Sequence, residues 1–211
     1  MNKYVKFEYG EGITACLVVD EAGVVLGLFN DGVPNPSIYI PGFLNDGTKI
    51  TGIAQNFCQA HHFNIIVISD EIDCIHQGAF HGASVNHVVW PAACKAIPDN
   101  CFLDSFVKTV SNIEHVESIG KMAFGFANCI KQIDFSASPI TNMGECAFEG
   151  ATADSIIWPT DCSYIPNLCF FNSSVKSISN LNNVKTIGER AFCGMQVPIN
   201  TQGRKPSFCA G

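Results

Sequence analysis

Eleven cysteines and six histidines are the residues of this 211-residue chain whose types could do chemistry. Thiols and imidazoles can hold a metal, form disulfides, or pair as nucleophile and base, and spacing decides among these. No C-x-x-C occurs, so the usual zinc and thioredoxin-type patterns are absent. His61, His62, His76, His81 and His87 crowd one region, but a metal site needs three or four convergent ligands. They read as surface or turn histidines. Asp70-Glu71-x-Asp73 lacks the glycine and the distal glutamate of a calcium loop, which leaves a solvated turn or a weak cation contact. Gly-rich phosphate loops are missing, and no cysteine is flanked by a pattern suggesting a strained, exposed elbow. Asn172-Ser173-Ser174 fits a glycan acceptor, which matters only in a secreted chain. No catalytic, cofactor-binding or metal-ligating residue is expected.

What must position these side chains is a repeat. Val116–Phe124 (VESIGKMAF) returns at Val184–Phe192 as VKTIGERAF, and one slot is filled by Phe57, Phe80, Phe102, Phe124, Phe148, Phe170 and Phe192. The intervals are 23, 22, 22, 24, 22 and 22 residues, the period of a short-unit solenoid. Eight residues before the Phe stand Ile72, Cys94, Val116, Ile140, Cys162 and Val184. Five before it stand Gly52 (beside Ile53), Ile75, Ile97, Ile119, Met143, Ile165 and Ile187. Five residues past the Phe a strand is expected to begin, with Val85, Val107, Cys129, Ala153 and Val175, followed by Val88, Val110, Ile156 and Ile178.

A longer period overlies the first. The stretch from His87 through Trp90-Pro91 to Cys101-Phe102 matches Ser155 through Trp158-Pro159 to Cys169-Phe170, 68 residues on, and Ser111-Asn112 pairs with Ser179-Asn180. Three units therefore make one super-repeat. Cys94/Cys162 and Cys101/Cys169 lie three units apart, about 14 Å at about 4.8 Å per stacked strand, beyond the roughly 7 Å reach of a disulfide. Most other cysteines sit at inward slots and read as reduced, small apolar fillers. If a bridge forms, Cys146/Cys169 in neighbouring units is the best candidate.

The pattern strand, Pro, apolar, Ile-Gly, Ala-Phe resembles the BspA-like, or Treponema-type, leucine-rich repeats, whose unit reads roughly L-x-x-I-x-I-P-x-x-V-x-x-I-G-x-x-A-F. The likeness covers about Ser37 to Phe192. Ile-Gly becomes Ile-Pro at Ile97-Pro98 and Ile165-Pro166, and Ala-Phe becomes Cys-Phe at Phe102 and Phe170. The resemblance implies a right-handed leucine-rich-repeat solenoid with one short parallel strand per unit and few helices. It implies no shared catalytic residue, and it implies exposure at cell surfaces, as in many BspA-like proteins.

Residues 1–36 do not follow the ruler. Thr14–Val19 and Val24–Phe29 flank Asp20-Glu21-Ala22-Gly23 and read as a β-hairpin that covers the first repeat. Residues 37–195 hold about seven repeats, and 196–211 read as a minimal cap or a cut edge. Near the start no apolar run reaches the length of a signal h-region, and no stretch approaches the ~20 apolar residues of a membrane span. As given, the chain reads as soluble and cytoplasmic; a missing leader would reconcile this with the cell-surface expectation. With 47% hydrophobic residues, 15% charged residues and a net charge of −7, the chain can bury a continuous core and lacks a basic footprint for nucleic acid or anionic membrane.

If the residues five, eight and ten past each Phe are buried, those at seven and nine face outward on the concave side. These are His87, Val89, Thr109, Ser111, Gln132, Asp134, Ser155, Ile157, Ser177 and Ser179, with Trp90 and Trp158 beside them. Exposed aliphatics on a rigid face suit a protein ligand, a host or cell-surface protein under the resemblance. Strand propensity alone would also account for Val89 and Ile157. The expected function is a non-enzymatic protein-interaction or adhesion module, the alternative a structural scaffold whose activity lies in another domain.

Overall fold

The computed structural model describes residues 2–8, 14–30, 35–58 and 62–195. Branched residues separated by polar ones favour a pleated, half-buried backbone, and here they build strands, numbered along the chain. The leading strands are β1 (Lys3–Glu8), β2 (Thr14–Val19) and β3 (Val24–Asn30). One large sheet holds β4 (Ile38–Ile40), β6 (His62–Ile68), β7 (Ser84–Val89), β9 (Phe106–Ser111), β11 (Ile130–Asp134), β13 (Thr152–Ile157), β15 (Ser174–Val175) and β16 (Ile178–Ser179). Two-residue strands alternate with these: β5 (Gly52–Ile53), β8 (Ala96–Ile97), β10 (Ser118–Ile119), β12 (Asn142–Met143), β14 (Tyr164–Ile165) and β17 (Thr186–Ile187). No helix occurs among the described residues.

Every pairing within the large sheet is parallel, and β8, β10 and β12, like β14 and β17, pair in parallel on small sheets of their own. Each unit thus runs from a large-sheet strand to a two-residue strand and then into the Phe turn. That turn has its own ladder: Phe102 N–H donates to Ala123 C=O (2.7 Å), Phe124 N–H to Ala147 C=O (2.8 Å) and Phe148 N–H to Cys169 C=O (2.8 Å). The aromatic rings stack along it. Phe80–Phe102, Phe102–Phe124 and Phe124–Phe148 are each 5.1 Å apart between centroids and within 16° of parallel. Phe148–Phe170 and Phe170–Phe192 continue the column at 5.3 and 5.5 Å, while Phe57 meets Phe80 edge-on. All seven rings are buried.

The expected hairpin is present as β2–β3, and β1 adds a third antiparallel strand to it. Asp20 shapes the turn, its Oδ1 accepting from the N–H groups of Ala22 and Val24 (2.9 Å each). β3 then pairs in parallel with β5, so this meander extends a small sheet and lays Leu17, Val19, Val25 and Leu28 over the first repeat.

One expectation is corrected. Cys129 does not begin a buried strand: it is exposed at φ 67°, and Ile130 takes the inward slot opposite Ala153. The 24-residue interval explains why. One extra residue is absorbed before β11, since Gln132 pairs with Thr109 at a 23-residue offset, and a second after it, since Met143 pairs with Ile119 at 24. The tryptophans, ten residues past Phe80 and Phe148, take the inward slot expected there, next in the chain to Val89 and Ile157 of the outer stripe. Trp90 and Trp158 are fully buried against Phe102 and Phe170, and their indole N–H groups donate to the carbonyls of Cys94 (3.2 Å) and Cys162 (3.3 Å). A large flat ring with one donor needs both a dry slot and an acceptor, and the strand exit supplies them.

Candidate functional site

The buried cysteines offer no reactive centre among the described residues. Cys58, Cys94, Cys101, Cys146, Cys162 and Cys169 are buried and free, so the Cys146/Cys169 bridge is not formed. Burial pushes these thiols up, Cys101 and Cys169 well above the ordinary value and Cys146 to about 11, with Glu149 adding to the last. A thiol held protonated is a poor nucleophile and a poor metal ligand. Cys193 is disulfide-bonded.

Histidines and carboxylates serve the turns. His115 Nε2 bonds the Pro91 carbonyl (2.9 Å), and His81 lies 3.7 Å from the Asp104 carboxylate. Asp70 Oδ1 accepts from Ala92 N–H (2.8 Å) and Asn112 Nδ2 (3.3 Å), while Glu71 accepts from Ser69. Among the described residues no three His, Cys, Asp or Glu side chains gather closely enough to hold a metal. His61 lies outside the described residues. Asn172 is exposed.

What the fold does assemble is the outer side of the large sheet. Its register lines up His87, Thr109, Gln132 and Ser155 in one row across β7, β9, β11 and β13. A second row holds Val89 beside Ser111, then Asp134, Ile157 and Ser179. Ser177 lies beside Ile156, whose N–H it accepts (2.9 Å). None of the ten is buried. The same register adds residues that the sequence reading stopped short of, because β4 and β6 precede its first clear copy of the repeat. Ile65 is opposite His87, and Val67 joins Tyr39 to Val89.

At the centre of this face His87 Nδ1 bonds Thr109 Oγ1 (2.6 Å) and Ser111 Oγ bonds His87 Nε2 (3.0 Å). Thr109 spends its hydroxyl proton on the Asn86 carbonyl (3.4 Å). It must therefore accept from Nδ1–H, and a neutral ring then accepts at Nε2 from Ser111. Burial holds the imidazole pKa below its ordinary 6.5. A hydroxyl on an imidazole is also the first contact of an acyl-transfer pair, but that chemistry needs a cleft with oxyanion donors. Grooves of about 400 and 390 Å³ lie instead against the short strands, by Tyr164 and Pro98.

The His87 arrangement sets a pH dependence. The unfolded chain takes up its proton near 6.5 and the folded chain only at lower pH, so acid favours unfolding in that interval. Stability should fall as pH drops from 6.5 toward the folded value and level off below it. Thermal melts of the wild type and His87→Gln at pH 7.5 and 5.5 check this: the wild type should lose more on acidification, and equal losses would refute the assignment.

Comparison with known proteins decides the family. Six copies of the BspA type leucine rich repeat region match this sequence, over residues 51–166 and 95–201. The chain belongs to the BspA-type leucine-rich-repeat family. Its fold is similar to a leucine-rich-repeat protein of Treponema pallidum, at a TM-score of 0.66 and 14% identity over 83% of this chain and 82% of that one. It is also similar to a leucine-rich-repeat protein of Bacteroides ovatus, at 0.58 and 19% identity over 93% of this chain and 56% of that one. No curated protein matches. Leucine-rich-repeat solenoids are generally non-enzymatic and generally mediate protein interactions.

The structure also explains why Ser111-Asn112 recurs as Ser179-Asn180 in this BspA-type array. Asn112 and Asn180 turn the chain at φ 59° and 63°, and their Nδ2 groups donate to the carbonyls of Trp90 (2.6 Å) and Trp158 (2.7 Å) one unit earlier. A short amide that tolerates the left-handed region fits this exit. The signal was visible as a repeated dipeptide, and its role needed the register.

Proposed function

We propose that this chain is a protein-interaction or adhesion module that binds a protein ligand through the outer face of its large sheet. The observation that carries the reading is the double row itself. Parallel pairing holds His87, Thr109, Gln132 and Ser155, and beside them Val89, Ser111, Asp134, Ile157 and Ser179, at fixed spacing on strands that cannot move separately. Ser177 completes the surface. Side chains on a rigid sheet lose little freedom when a partner settles on them, which is how repeat scaffolds reach useful affinity with an open surface.

The test is capture of a binding partner from lysate of the source cells, comparing wild type with Val89→Asp and Ile157→Asp. A charge placed at a covered site should cost at least tenfold in capture, since a desolvated, unpaired carboxylate is worth more than 1.4 kcal/mol. Partners retained at wild-type level by both variants would remove the outer face from consideration.

A further inference from the structure

Hydrogen bonding divides the outer face in two. On β4 to β9 the polar groups satisfy one another: Asn86 Nδ2 donates to Asn64 Oδ1 (3.1 Å), Asn64 Nδ2 to Ser37 Oγ (3.3 Å), and His62 is bonded to Ser84. Ser111, His87 and Thr109 form the chain described above, ending on a carbonyl. Between these chains lie the half-buried Ile65, Val67 and Val89, with Tyr39 47% exposed at the end of their row. On β11 to β16 the character changes. Gln132, Ser155, Ser177 and Ser179 have no side-chain hydrogen bond among the described residues. Asp154 is held between Lys131 (3.1 Å) and Lys176 (2.6 Å).

Covering the two halves has different costs. Paired polar groups give up little when water leaves, whereas free hydroxyls and ions lose their hydration unless the partner replaces it. The first half also carries no formal charge at its centre. Burial holds the His87 pKa below 6.5, which favours the neutral ring, and that ring bonds Thr109 through Nδ1 and Ser111 through Nε2. The charged or titratable groups around it are His62 on β6, Lys108 on β9, Lys131 and Asp134 on β11, and Asp70 and Glu71 beyond β6, with Asp70, Glu71 and Asp134 already hydrogen-bonded.

We propose that the outer face of β6, β7 and β9, centred on Ile65, Val67 and Val89, is a dry docking patch that takes a protein segment presenting uncharged aliphatic or aromatic side chains. Neutrality selects the occupant: there is no central charge for an ionic segment to match, and because the polar groups already bond one another a glycan gains less there than an apolar segment does. The proposal rests on the outer-face reading above and narrows it to one half of the sheet and one partner chemistry.

The probe is Nile red, an uncharged apolar dye, added to the native full chain at pH 7.5. Val67→Ser/Val89→Ser puts at both positions the residue that Ser111 already supplies in the same row, so the fold should tolerate it; Val89→Ser alone serves if it does not. Dye affinity should fall about tenfold, the worth of one well-covered valine, while Ile157→Ser leaves it unchanged. Unaltered dye binding in the valine variant, or loss in Ile157→Ser, overturns the patch. So does displacement of the dye by hexalysine or hexaglutamate at lower concentration than by an end-capped Val-Thr hexapeptide. Partner capture separates the two levels. Capture retained by Val67→Ser/Val89→Ser but lost by Ile157→Ser sinks the patch and keeps the outer face, whereas capture retained by both sinks the outer face itself.

Discussion

Phe124→Ala is expected to lower the unfolding free energy by about 3–5 kcal/mol, the range for removing a buried aromatic ring from a packed core. The ring is fully buried and has a neighbour on each side, Phe102 at 5.1 Å and 10°, and Phe148 at 5.1 Å and 4°, with Phe135 at 6.3 Å. Its loss opens a gap in the middle of the column, and backbone ladders above and below hold the walls apart. Phe192→Ala should cost less, because that ring is 5% exposed and stacks among the described rings on Phe170 alone. Urea unfolding of both variants, followed by tryptophan fluorescence, checks the order. Trp90 and Trp158 lie on opposite sides of Phe124, so single-tryptophan backgrounds report whether the damage spreads to both halves, as coupling between neighbouring repeats requires. A Phe124→Ala cost below about 1 kcal/mol, or one no larger than that of Phe192→Ala, would falsify the assignment of this ring as the central anchor.

The aromatic column was legible because every unit repeats the same burial problem, so one slot shows the same residue seven times. Inward slots eight and five residues before the Phe were legible for the same reason. Turns were harder to read. Met122, Cys146, Leu168 and Arg190 all adopt φ between 51° and 57°, two residues before their Phe, although none is a residue type that favours the left-handed region. Stacking imposes that conformation: Met122 N–H donates to the Glu145 carbonyl (3.0 Å) and Leu168 N–H to that of Glu189 (2.9 Å), bonds that exist only once the next unit is in place. Cys129 was misread because an inserted residue shifts the strand by one, which a period measured from Phe to Phe cannot localise. The outer-face rows could be read to the extent that offsets from the Phe predict strand facing. That Ser111, His87 and Thr109 form one bonded chain could not, since 22 and 24 residues separate them and only the parallel register makes them neighbours.

Gly144→Ala is expected to cost about 3 kcal/mol, the upper end of the 1–3 kcal/mol typical of forced overpacking. The Ile-Gly element of the repeat invites a conformational explanation, but Gly120, Gly144 and Gly188 are not among the glycines with positive φ. The constraint is proximity. A Cβ on Gly144 would stand 2.4 Å from both the Gly120 carbonyl carbon and the Lys121 nitrogen of the preceding unit. Those are backbone atoms inside a ladder in which Gly144 N–H donates to the Ile119 carbonyl (2.7 Å), so no side-chain rotation can clear the space. The same slot holds Pro98 and Pro166 in two other units, so the restriction belongs to the glycine-bearing units, whose turns approach this closely. Gly47→Ala provides the contrast, since Gly47 is at φ +82° with nothing within 4 Å of the added carbon, leaving only a conformational cost of about 1 kcal/mol. Thermal and urea unfolding of the two variants separate close approach from backbone freedom. If Gly47→Ala proves as damaging as Gly144→Ala, the glycine of the repeat is there for its dihedral angles, and close contact between successive turns is not what fixes their spacing.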